Sequence, residues 1–167
     1  MKSQTEEQII RSVLIPLSDM RLLLPNALVA EVFGYVQPDP IDNSPDWLLG
    51  SVAWRGVGLP LVSFEALVGG NMAPPGIKGR IIVLYGLGRQ VEQAPYVGIL
   101  STDVPRLFRA SEDSLQSAPQ QPSQVGISLW AQSEEGLLAI PDLDYLNQCL
   151  AESLPPKPTR PKAKQGT

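Results

Sequence analysis

No histidine occurs anywhere in this chain. Its absence removes the commonest general base near neutral pH, the Ser-His and Cys-His nucleophile pairs, and the commonest ligand of transition metals. Cysteine occurs once, at Cys149, so no disulfide can form within the chain and a reducing compartment is expected. Cys149 has no basic neighbour to activate its thiol and lies on an apolar helical face, which favours burial over reactivity. Aromatic residues make up 6% of the chain and charged residues 18%, with too little basic-aromatic interleaving for single-strand nucleic-acid binding. Apolar runs are short, and none nears the length a membrane helix needs. The amino-terminal stretch carries acidic residues where a signal peptide would be basic. A soluble, cytoplasmic protein with no direct membrane insertion is expected.

What the chain does have is apolar content and punctuation. Its 167 residues, 43% of them hydrophobic, suffice for one core, shared at most by two small subdomains. The 17 prolines and 14 glycines fall between apolar runs, as they do between short strands. The formal charge of −4 is uneven: residues 1–150 carry 9 basic and 16 acidic side chains (9 − 16 = −7), and residues 151–167 carry 4 and 1 (4 − 1 = +3). An acidic body cannot displace counterions from a duplex, so nucleic acid is not an expected partner. The basic, proline-rich stretch 151–167 has too little apolar surface to fold and reads as a disordered tail.

Residues 1–11 read as a flexible start, with a helical turn near Glu6–Arg11, ahead of a folded part over 12–150. Val13–Leu17 and Met20–Leu24 predict strands about the polar turn Ser18-Asp19; Asn26 opens a turn of helix to Leu28, and Val29–Val36 is a further strand. Ser44-Pro45-Asp46 has the order of a helix start, capping hydroxyl, proline, carboxylate, for a turn that is brief because Gly50 follows. Ser51–Trp54 and Gly58–Val62 are strands about Arg55-Gly56, and Ser63 then caps a short helix to Val68 that Gly69-Gly70 end. Linkers are expected near 69–79 and 111–124. Between them lie strands Arg80–Tyr85 and Tyr96–Ser101, joined by a polar loop, and Val104–Phe108. Gly126–Trp130 and Gly136–Ile140 form a last strand pair. Leu143–Leu150 is a helix with Leu143, Leu146, Cys149 and Leu150 on one face. Many short strands with only small helices predict an all-β, barrel-type architecture.

Several groups invite chemistry, and each has a plainer explanation. Asp39, Asp42 and Asp46 lack the spacing and the glycine of a calcium loop, so a solvated acidic loop fits better. Asp142 and Asp144 stand where ordinary amino-terminal helix charges belong. Gly56-Val57-Gly58 and Gly86-Leu87-Gly88 reach neither a helix nor a third glycine, so no phosphate cradle follows. Trp47, Trp54 and Trp130 each sit in an apolar run, which suits packing better than stacking on a ligand. No enzyme, cofactor or metal site is expected from this inventory.

Arg55 is different, because it stands alone between two apolar strands in WLLGSVAWRGVGLPLVSFEAL, residues 47–67. Such a side chain must point outward or reach a carboxylate or several carbonyls. Bracing the turn and meeting a partner both stay open for it.

Gly50, Ser51-Val52, Ala53-Trp54-Arg55-Gly56, Val57–Val62 with Pro60 at its middle, and Ser63-Phe64 follow one another in a distinctive order. In that order the chain resembles the CheW-like domain family, the β-barrel coupling modules of bacterial chemosensory arrays. The family's motif is a glycine, a short apolar stretch ending in Asn-Leu-Arg-Gly, an apolar run with a central proline, then Asp-Leu. Leu28–Val32, Val97–Leu100 with Val104, and Ala139–Leu146 resemble further family strands and the closing helix, so the resemblance spans about residues 12–150. The chain departs from the motif at Ala53 and Ser63, where Asn and Asp stand, and at Thr102, where the second barrel has Asp. These departures favour a diverged accessory copy. LLLPNALVAEVF, residues 22–33, is similar to ChpC-type accessory proteins of type IV pilus (twitching motility) chemosensory systems.

The resemblance implies a CheW-like fold of two packed five-stranded β-barrel subdomains with short helices. It implies an adaptor or scaffold in chemotaxis signal transduction, with no catalysis. The implied partners are the cytoplasmic tip of a methyl-accepting chemoreceptor, held in a groove between the barrels, the regulatory domain of a CheA-type histidine kinase at the barrel ends, and other CheW-like proteins. Recruitment to membrane-associated receptor arrays follows from these. By position, Val29, Gly98, Val104 and Leu107 fall where the family lines its receptor groove, and Arg55 falls on the motif arginine at or beside that contact. From the residues alone a second class stays open, a β-barrel module binding a small ligand or oligosaccharide through its tryptophans.

Overall fold

The structure, a computed structural model, describes residues 8–86 and 95–155. In chain order the elements are β1 (Ile10–Pro16), β2 (Arg21–Pro25), a 3-10 turn (Asn26–Leu28), β3 (Val29–Gly34), β4 (Leu48–Trp54), β5 (Val57–Val62), α1 (Phe64–Leu67) and β6 (Arg80–Tyr85). Then come β7 (Tyr96–Ser101), β8 (Arg106–Ala110), β9 (Gln116–Ser117), β10 (Ile127–Ser133), β11 (Gly136–Pro141) and α2 (Leu143–Ser153). The strands form two sheets, one of six in the order β8-β1-β2-β11-β10-β9 and one of five in the order β3-β6-β7-β5-β4. The all-β, two-barrel expectation stands, with β9 as a two-residue addition to the first sheet.

Three apolar clusters explain why so many runs are continuous rather than alternating: their strands are buried on both faces. Val13 and Ile15 of β1, with Leu17 just beyond it, face a central seam, while Leu14 faces the interior of the six-stranded sheet with Leu23 and Leu138. Along β6, Ile82 and Leu84 face the seam, while Ile81 and Val83 face the interior of the five-stranded sheet with Trp54, Leu59 and Leu61. The seam therefore joins both sheets, and Phe64 of α1 with Leu146 and Leu150 of α2 complete it. Glu65 of α1, itself buried, accepts the backbone N–H of Ser18 at 2.7 Å and ties the β1–β2 turn to the other barrel.

Ser63 and Asp142 cap their helices as the sequence predicts, accepting from the N–H groups of Ala66 and Tyr145. Cys149 is half-buried against the seam, and its hydrogen bond to Tyr145 pushes that phenol above its ordinary range. Other expectations need correction. Ile10 and Arg11 belong to β1 rather than to a flexible start, because β8 pairs with them. Asn26 does not cap its turn, since Pro25 occupies that position without a side-chain bond. Ser44-Pro45-Asp46 opens no helix: the Leu48 N–H donates to the Pro45 carbonyl at 3.0 Å, one turn, and Leu48 then pairs with Val62 as β4 begins. Gly50 allows that entry, because the Asp39 backbone crosses it so closely that a Cβ would lie 2.2 Å from the Asp39 carbonyl oxygen. The strand read at Val104–Phe108 runs from Arg106 to Ala110, beyond Pro105, which has no N–H to give to a ladder. The linker 111–124 contains β9. Helix α2 continues to Ser153, and the remainder of the expected tail (156–167), residues 1–7 and most of the loop after Tyr85 lie outside the described residues.

Candidate interaction surface

Strands β3 and β4 are the two edges of the five-stranded sheet, and a three-residue clasp draws them together. Trp54, buried at the end of β4, donates its indole N–H to Glu31 Oε2 on β3. Arg55 Nε lies 3.6 Å from the same oxygen, and its guanidinium carbon sits 4.8 Å from the centre of the Trp54 ring. A bulge in β3 between Val29 and Glu31 supplies the change of direction that sends Glu31 toward β4. Tyr96 meets Trp54 edge-on with centroids 4.7 Å apart, and Tyr85 leans on Tyr96 at 5.8 Å.

Arg55 and Gly56 have φ of 46° and 77°, the doubly left-handed geometry of a two-residue type I′ hairpin turn. Glycine suits the second position; an arginine at the first costs about 1–2 kcal/mol of backbone strain. The Arg55 side chain nonetheless remains 64% exposed, and an ion pair that open to water contributes under about 1 kcal/mol. Its contacts brace the turn while most of the guanidinium stays available to a partner.

The seam between the barrels has a rim formed by one edge strand from each sheet. Val29 and Val32 pair with Leu84 and Ile82, whose side chains face the seam, so both valines share that face. On the other sheet Leu107 pairs with Val13, another seam residue, and is 80% exposed. The 3-10 turn packs against β1, which brings the start of β3 beside the β1–β8 pair. Val104, half exposed, lies on the connector into β8, where its N–H donates to Asp103 Oδ1 at 2.7 Å. Thus Val29 and Leu107 flank the same seam, and Arg55 is tied to β3 through Glu31. Gly98 does not join them. It is buried, and a Cβ there would lie 3.1 Å from Ile81 and Leu59, inside the five-stranded barrel.

Sequence reasoning missed Glu31, although a lone carboxylate in the apolar strand LVAEVF was a usable signal. It also missed two clefts. One of about 330 Å³, lined by Ile10, Leu115, Leu129, Ala131 and Ile140, opens between β8 and β9, the two edges of the six-stranded sheet. The other, of about 240 Å³, is lined by Trp130 with Gln121 and Gln124. Trp54 and Trp130 both pack against core clusters, as the sequence predicts.

A family profile described as CheW-like domain matches residues 11–148. The "Chemotaxis protein CheW" of Rhizobium meliloti (strain 1021) is 31% identical over 91 residues, which cover 54% of this chain and 55% of that protein. The "Probable chemotaxis protein CheW" of Rhizobium etli is 27% identical over 124 residues, covering 74% of this chain and 72% of that one. The match thus spans little more than half the length of the first of these relatives. Among solved structures, the scaffolding protein TtCheW from Thermoanaerobacter tengcongensis is similar with a TM-score of 0.67 at 19% identity, over 81% of this chain and 90% of that one, a likeness of fold. Among the described residues, no helix is long and apolar enough to cross a membrane.

Proposed function

Since this chain belongs to the CheW-like domain family, we propose that it is a non-enzymatic adaptor that couples a methyl-accepting chemoreceptor to a CheA-type histidine kinase. The observation that carries this reading is the seam rim. An apolar strip of Val29, Val32 and Leu107, contributed by two sheet edges, suits the apolar face of a helical hairpin such as a receptor tip. Val104 extends the strip, and Arg55 meets the partner beside it. Gly98 serves the strip only indirectly, by letting β7 pack closely within its barrel. The barrel ends, and the other CheW-like proteins that share this fold, supply the kinase contact and array neighbours, which draws the protein from the cytoplasm to membrane-associated arrays. The wording of residues 22–33 favours a ChpC-type accessory role in a type IV pilus pathway over general chemotaxis.

The test is direct binding of a purified receptor-tip fragment. Val29→Asp places a charge on the apolar strip and is expected to weaken binding by about 2 kcal/mol or more. Because Val29 is half-buried, circular dichroism must show that variant folded, and Leu107→Asp, at an open position, gives the same readout without risk to the core. Two folded variants that bind like the parent end this reading. A small-ligand module is the second reading, favoured by the Trp130 cleft alone. Quenching of tryptophan fluorescence by a saccharide panel, lost in Trp130→Phe, is its signature.

A further inference from the structure

Arg11 and Arg109 are directly opposed partners in the antiparallel β1–β8 pair, so their side chains leave the same face of the sheet. Both are exposed, and like charges at such positions repel. In a body with 16 acidic side chains over residues 1–150, a carboxylate for each was available. None is used: among the described residues the ion pairs are Arg55–Glu31 and Arg106–Glu135, and neither involves this couple. Protection of a sheet edge accounts for a cation on β8, which is an edge strand. It does not account for Arg11, because β1 is an inner strand flanked by β8 and β2.

The next outward pair on the same face is Leu107 beside Val13, so the two guanidiniums stand one step along the strands from the apolar rim of the seam. We infer that Arg11 and Arg109 form a cationic extension of that rim, which selects a partner helix carrying carboxylates beside its apolar stripe. The occupant is an acidic amphipathic helix, and charge complementarity points to it: two mutually repelling cations with no carboxylate partner among the described residues, next to an exposed leucine, are relieved by two carboxylates set beside an apolar stripe. This rests on the adaptor reading above and narrows it to the chemistry of the docked helix.

The probe is a receptor-tip fragment from the same organism, titrated at low and high salt. Wild-type binding is expected to weaken as salt rises. The double variant Arg11→Gln, Arg109→Gln is expected to bind roughly three- to tenfold more weakly at low salt and to lose most of the salt dependence. Its melting temperature should stay the same or rise, since a repulsion has been removed, which a merely structural pair would not show. Arg11→Lys with Arg109→Lys should retain most of the binding, while Leu107→Ala should weaken it equally at all salts. A Gln variant that binds like wild type with an unchanged salt slope overturns the inference and leaves the adaptor reading standing. Loss only of binding to heparin or anionic vesicles overturns it as well, in favour of a different partner. A wild-type protein that fails to bind the fragment at all removes both the adaptor reading and this one.

Discussion

At the scale of single residues, Glu31 has the clearest structural task. Its carboxylate serves both Trp54 and Arg55 and joins the two edges of one sheet. Glu31→Ala leaves a buried indole N–H without a partner and is expected to cost about 1–3 kcal/mol in urea denaturation; a variant as stable as the parent would refute the clasp. Arg55→Gly separates the two roles left open for that arginine. Glycine relieves the left-handed strain at φ 46°, offsetting the lost contacts, so stability should change by under about 1 kcal/mol. Binding of a receptor-tip fragment should fall. If stability falls sharply and binding does not, Arg55 is only a brace. Arg55 was legible from sequence because it stood alone between apolar strands. The Arg11–Arg109 couple was not, because 98 residues of chain separate partners that only the β1–β8 register unites.

At the scale of elements, the strands read best where both faces are buried. Arg80–Tyr85 and Tyr96–Ser101 are observed with the limits their apolar runs predict. Where the limits differ, either pairing with distant chain overrides a local signal or a neighbouring proline sets the boundary. Ser44 had every local feature of a helix start, yet Leu48 is claimed by β5, so the turn stops after one hydrogen bond. Pro105, with no N–H to give to a ladder, holds the start of β8 to Arg106. Helix α2 was legible from its spacing as far as Leu150, and its role in closing the seam makes it sensitive. Leu146→Ala, at a residue 1% exposed, is expected to cost about 2–5 kcal/mol of unfolding free energy. A loss below about 1 kcal/mol, measured by chemical denaturation, would show that α2 is peripheral.

At the scale of the whole molecule, two curled sheets share one apolar seam, and Val32 and Leu107 are exposed on strands that border it. Every buried side chain among the described residues lies between Ser12 and Leu150. Removing residues 156–167 is therefore expected to leave the melting temperature unchanged, and a clear decrease in calorimetry would assign them a packing role. The barrel architecture was legible in the count and spacing of apolar runs; the way the two barrels share a face was not, because a continuous run does not say which side faces which neighbour. The proposed adaptor role requires that the protein hold a receptor tip and a kinase regulatory domain at the same time. Analytical ultracentrifugation of this protein mixed with the kinase regulatory domain and a receptor-tip fragment tests it most directly. A ternary species is expected at micromolar concentrations and should be lost in Leu107→Asp; sedimentation of all three as separate species would refute the adaptor role.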